Sequence, residues 1–110
     1  MKTEWIEIGR AEDIPRQGAR VVKTDKGDIA VFRTAEDEIY AIRNCCPHKG
    51  GPLSEGIVYG ATVACPLHNL SLDLKTGQAV APDDGCVTTY PVLLEGGLIY
   101  LDFSSREPAA

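Results

Sequence analysis

The sequence predicts a single, mostly β domain with little helix. Three observations carry that expectation. Short segments with strand-like alternation recur along the chain, glycine-containing turn signals separate them, and the one helical signal is a short turn before Pro15. A chain of 110 residues has room for one small domain, and 44% hydrophobic content supports a core that is present but modest. A core of that size gains from a metal staple.

The elements follow in order. Thr3 to Ile8 alternates in part and reads as a first strand. The polar stretch Arg10 to Gly18 holds the short helical turn. Arg20 to Thr24 and Asp28 to Arg33 flank Asp25-Lys26-Gly27, a hairpin signal because Gly27 tolerates positive φ. Glu38 to Arg43 adds a strand after the turn at Ala35-Glu36-Asp37, so the chain is expected to begin as an antiparallel meander. The apolar stretch Ile57 to Ala64, interrupted at Gly60, leads into a second loop at Cys65. Leu70 to Leu74 alternates again, Thr76-Gly77 turns, and Asp83-Asp84-Gly85 begins another connection. Cys86 to Glu95 and Leu98 to Phe103 pair across Gly96-Gly97, a dipeptide suited to a primed turn. Residues 4–103 form the expected domain, and Ser104 to Ala110 a flexible tail.

Charge and hydropathy exclude several functions. The net charge is −5 with no Lys/Arg block, whereas phosphate neutralisation needs clustered positive charge, so no nucleic-acid partner is expected. No apolar run approaches a bilayer span, and the first residues lead into no apolar signal region. A soluble, cytoplasmic protein is therefore expected, in a compartment where thiols persist.

The chemistry lies in two mixed pairs, Cys46-Pro47-His48 and Cys65-Pro66-Leu67-His68, with 16 residues between His48 and Cys65. Each pair offers one thiolate and one imidazole. In a Rieske centre two thiolates hold one iron and two histidines hold the other, which two such loops provide if each gives one residue to each iron. Gly50 and Gly51 let the first loop turn sharply beside the metal, while Pro47, Pro52 and Pro66 reduce the entropy of holding the loops open. Leu53 and Leu67 are placed to shield the sulfurs.

Other readings of these residues exist. A tetrahedral zinc site uses the same ligand types, but zinc fingers usually pair two cysteines on one turn and two histidines on a helix. Two disulfides in a secreted module would also use four cysteines, without a task for the histidines. Both histidines belong to the loops, so no Asp-His-Ser triad can form, and Asp83 and Asp84 read as a solvated turn. Cys45 and Cys86 read as small buried hydrophobes, and Tyr90 and Ser71 as packing or turn groups. With both irons ligated by protein and sulfide no open position is left for substrate, so no catalytic residue is assigned and the chain carries electrons.

CPHKGGPL at Cys46 to Leu53 and CPLH at Cys65 to His68 resemble the soluble Rieske-type ferredoxins. The resemblance implies three small antiparallel sheets with a two-loop [2Fe-2S] cluster-binding tip, Cys46 and Cys65 on the inner iron, and His48 and His68 on the outer. Within that family, Asp73 to Cys86 and Thr88-Thr89-Tyr90-Pro91-Val92 look most like the small subunit of assimilatory NAD(P)H-dependent nitrite reductase. That resemblance implies a large catalytic partner subunit bearing FAD, a [4Fe-4S] cluster and sirohaem, which reduces nitrite to ammonium in nitrate assimilation while this chain relays electrons. Two other roles compete with it: a freestanding ferredoxin of an aromatic-ring dioxygenase system, and a structural subunit whose cluster turnover does not require.

The resemblance also bears on potential. High-potential members of the family place a serine two residues after the second histidine and a tyrosine two further on, both donating to the cluster. Here those positions are Leu70 and Leu72, and the positions of the family's loop disulfide are Gly51 and Leu67. Fewer donors stabilise the charge gained on reduction less well, so a low potential is expected. Strand alternation should turn Ser71 away from the face that Leu70 and Leu72 share.

Overall fold

The computed structural model describes residues 5–24, 27–45, 52–65, 71–80 and 85–102. Among the described residues ten strands form three antiparallel sheets, as the family resemblance implies. The central sheet runs β2 (Gly18–Thr24), β3 (Gly27–Arg33), β4 (Ile39–Arg43) and β8 (Thr89–Tyr90). A second sheet joins β5 (Ile57–Tyr59), β6 (Thr62–Ala64) and β7 (Ser71–Asp73). The third joins β1 (Trp5–Arg10), β10 (Leu98–Asp102) and β9 (Val92–Glu95).

Strand β3 lacks the alternation of a half-buried strand because both of its faces are covered. Ile29, Ala30, Val31 and Phe32 are all buried, and side-chain parity sends them to opposite sides. Ala30 and Phe32 join Ile42, Leu53, Val58, Val63, Cys65, Leu72, Leu74 and Val87. Ile29 and Val31 join Ile14, Ile39, Ala41, Tyr90, Ile99 and Leu101. The central sheet thus separates two cores, one shared with the β5–β7 sheet and one with the β1–β10–β9 sheet.

Turn chemistry closes the hairpins. Gly96 and Gly97, at φ 60° and 82°, connect β9 to β10 in the left-handed conformation of a primed turn. Gly77, at φ 79°, lies so close to the Val87 carbonyl that an added methyl group would overlap it. Strands β2 to β4 form the expected meander, and the expected helical turn occupies Ala11–Asp13.

Two expectations about connectivity are corrected. The first strand does not open the meander but pairs with the last, Trp5 opposite Asp102 and Ile6 opposite Leu101. Cys86 to Glu95 is not one strand either. Pro91 has no N–H to donate to a ladder, and the chain changes sheets there: Tyr90 pairs with Ala41 of β4, and Val92 with Leu101 of β10. Phe103 and the expected tail, Ser104 to Ala110, lie outside the described residues.

An ion-pair network holds the β3–β4 turn to the loop after β1. Asp37, at φ 66°, accepts from Arg16 Nε at 2.9 Å and pairs with Arg33 Nη2 at 2.8 Å. Arg33 Nη1 also donates to the carbonyls of Ala11 and Ile14, at 3.2 and 2.8 Å. Hydrogen bonds from Arg16 and then Arg33 hold the Asp37 carboxyl down at about 2. A depressed carboxyl stabilises the fold above its unfolded value and loses that contribution as pH falls through its folded value. Asp37→Asn is therefore expected to melt below wild type at neutral pH. The gap should close between about pH 4 and about pH 2, as paired circular-dichroism melts would show.

Candidate metal centre

Cys65 is the one proposed ligand among the described residues, and it follows β6 directly. It is 1% exposed, in the inner core with Leu53, Val63 and Leu72. Cys46, His48 and His68 lie outside the described residues, as do Gly50, Gly51, Leu67 and Leu70. Among the described residues, no group of three or more His, Cys, Asp or Glu side chains gathers to hold a metal ion.

The segments beside the ligand pairs are well defined. Ala64 and Ser71 face each other across the β6–β7 ladder, so the two ends of the Cys65 to Leu70 segment are antiparallel partners. The ends of the first segment are tied by a side chain: Ser54 N–H donates to Asn44 Oδ1 at 2.8 Å, across ten positions in the chain. Gly56 then passes against the carbonyl of Ala64, so closely that a methyl group there would overlap it. Asn44 and Gly56 drew no notice in the sequence, and their only signal was their place on either side of the Cys46-x-His48 pair.

The donor set fits a [2Fe-2S] centre of the Rieske type, with two thiolates and two imidazoles in mixed pairs. The burial of Cys65 matches a sulfur-ligated iron on the protein side. Leu53 is fully buried beside it, as a shield for that side requires. Cys45 is half-buried, whereas Cys86 is exposed rather than buried as expected. Cys86 sits at an isolated bridge to Gln78, and the next residue, Val87, takes the buried position in the core. Tyr90 packs in the second core, as a packing residue would.

Ser71 keeps its hydroxyl away from the core. Its Oγ lies 2.7 Å from the Tyr59 hydroxyl on the outer face of the β5–β7 sheet, while Leu72 points inward and is fully buried. A cavity of about 410 Å³ runs along β4 and β8, lined by Tyr40, Leu74, Lys75 and Tyr90 among others, and Cys65 is not part of it.

Comparison with known proteins then decides the family, since residues 4–102 match the Rieske-like [2Fe-2S] domain. The chain belongs to that family. It is 34% identical over 105 residues to the ferredoxin component of the naphthalene 1,2-dioxygenase system of Pseudomonas aeruginosa, covering 94% of this chain and 100% of that one. It is 39% identical over 98 residues to the 3-phenylpropionate/cinnamic acid dioxygenase ferredoxin subunit of Escherichia coli K12, covering 87% and 91%. Among solved structures, the complex of reduced oxygenase and oxidized ferredoxin in carbazole 1,9a-dioxygenase contains a chain matching at TM-score 0.84 and 24% identity, with 96% and 99% covered.

These matches overturn the nitrite reductase resemblance. Solved structures described as putative nitrite reductase small subunits also match, the one from Mycobacterium tuberculosis at TM-score 0.82 with 21% identity over 99% and 100% of the two chains. At that identity the likeness is one of fold alone, while the sequence similarity favours dioxygenase ferredoxins. The physical reason lies in the segment that suggested nitrite reductase. Asp73 N–H donates to Gln78, Gly77 N–H to Asp73, and Val87 N–H to Gly77, so these residues build the scaffold behind the second ligand pair. Scaffold residues report the fold and not the partner. The large catalytic subunit, its FAD, [4Fe-4S] cluster and sirohaem, and the role in nitrate assimilation lose their support together.

The Ser71–Tyr59 pairing has a consequence for potential. Ser71→Ala and Tyr59→Phe are expected to leave the midpoint unchanged, because those hydroxyls serve each other. Protein-film voltammetry should place the wild-type couple toward the lower end of the Rieske range, near about −150 mV, and a midpoint near about +300 mV would contradict the donor-poor environment.

Proposed function

We propose that this chain is a ferredoxin that passes single electrons to the terminal oxygenase of an aromatic-ring dioxygenase system, using a [2Fe-2S] cluster on Cys46, His48, Cys65 and His68. The observation that carries the reading is the similarity to dioxygenase ferredoxins along nearly the whole length of both chains. A bound cluster of this type supplies one-electron carriage. Cys46 and Cys65 would supply the thiolates and His48 and His68 the imidazoles, with Leu53, Val63 and Leu72 forming a water-poor backing around Cys65. Residues 4–103 are the working unit and 104–110 an appended tail. No helix among the described residues is long and apolar enough to cross a membrane. Placement in the cytoplasm belongs to the same reading, and the exposed Cys86 thiol suits a reducing compartment.

Three experiments test it. Anaerobically purified protein is expected to hold two irons and two acid-labile sulfides; one zinc without sulfide would replace the reading with a structural zinc site. Cys46→Ser and His68→Ala remove a ligand each and should abolish the native spectrum, whereas Cys45→Ser should keep it. In stopped-flow mixing, the reduced protein should be reoxidised by a ring-hydroxylating terminal oxygenase. Reoxidation no faster than by dissolved oxygen alone would count against that partner class.

A further inference from the structure

We propose that Asn44 is a positioning residue for the metal centre, a side-chain cap that closes the first ligand segment and couples it to the second. The cap is made from outside the turn it serves. The 3-10 turn Leu53–Glu55 is preceded by Pro52, which offers no side-chain acceptor, so the first N–H groups of the turn need another partner. Asn44 Oδ1 takes the Ser54 N–H at 2.8 Å. Asn44 is itself anchored, because its backbone N–H donates to the Asp28 carbonyl at 2.9 Å and extends the β3–β4 pairing by one residue. The bond therefore runs from the end of β4 in the central sheet to the residues that follow the Cys46 and His48 pair.

From there the path continues through protein alone. Leu53, in the capped turn, is fully buried in the core that holds Cys65. Gly56 N–H donates to the Leu53 carbonyl at 2.9 Å and ends the turn. Gly56 then lies against the Ala64 carbonyl, one residue before Cys65. The described residues that flank the two candidate ligand pairs are thus tied together, Asn44 to Ser54 by one cap and Gly56 to Ala64 by one close backbone approach. A ligand set held at both ends releases metal more slowly than one in which a single end frays.

The inference rests on the chain carrying a [2Fe-2S] cluster, and wild-type iron and sulfide content checks that separately: wild type without them overturns both readings. With loaded protein, iron release to a ferrous chelator is followed for wild type, Asn44→Ala, Asn44→Asp and Gln17→Ala. Gln17 is the control because its Nε2 likewise makes a side-chain bond to backbone, to the Val58 carbonyl of β5 at 3.2 Å, without flanking a candidate ligand pair. Loss of one such bond should speed release from Asn44→Ala by about three- to tenfold. Asn44→Asp keeps the acceptor oxygen and should stay close to wild type, as should Gln17→Ala. Amide exchange of Ile29 to Phe32 is measured alongside and should be unchanged in Asn44→Ala. Any of the following overturns the proposal: release from Asn44→Ala at the wild-type rate, equal acceleration in Gln17→Ala, or acceleration matched by faster exchange in β3. Failure of Asn44→Asp to restore slow release does so as well.

Discussion

Burial of β3 on both faces is the constraint from which the rest of the architecture follows. A strand whose four consecutive residues Ile29 to Phe32 are all excluded from water needs an apolar layer above and another below. The β5–β7 sheet supplies one and the β1–β10–β9 sheet the other. Each outer sheet has three short strands, about the minimum that a sheet with one apolar face needs, and each buries that face against the central sheet. The outer sheets therefore depend on β3 more than on each other, and the Arg16–Asp37–Arg33 network adds a polar fastening at one end of the central sheet.

The layer that carries the candidate ligand Cys65 is backed by that arrangement. Cys65 leaves the end of β6 with its side chain in the same core as Ala30 and Phe32. On the other side, Asn44 continues from β4 and reaches the turn at Leu53–Glu55. The first candidate ligand pair is thus flanked by Asn44, which continues from the central sheet, and by the Leu53–Glu55 turn, and the second by β6 and β7 of the neighbouring sheet. A redox centre benefits from such support, because the less the protein rearranges between oxidation states, the more the potential is governed by fixed neighbours. On the outer face, Ser71 and Tyr59 satisfy each other, so the hydroxyl nearest the second ligand pair in sequence is turned away from the core that contains Cys65.

Much of the strand pattern was legible because it is local. The β9–β10 turn announces itself through Gly96-Gly97, and the β3–β4 hairpin through the polar turn at Ala35-Glu36-Asp37. What was not legible is long-range. Nothing near Trp5 says that its strand pairs with residues almost at the other end of the chain, and nothing near Tyr90 says that the chain changes sheets after it. The candidate ligands were legible from type and spacing, whereas Asn44 and Gly56 were not, since an asparagine or glycine beside a loop is common and acquires meaning only from what lies against it. The partner was misread from Asp73 to Cys86, whose described residues shape a turn and take part in two β-bridges, Leu72 with Ala79 and Gln78 with Cys86, and so report local scaffold.

The sequence by itself determined the class of fold and the chemistry of the donor set, because turn residues act over a few positions and a thiolate or imidazole is a ligand by its atoms. Tertiary structure alone decided which side of the sheet each apolar residue serves, why β3 is apolar without alternation, and why Cys86 faces solvent while Cys65 does not. Those outcomes depend on which strands become neighbours. That choice is made by burying both faces of one sheet at once, and no local stretch of sequence encodes it.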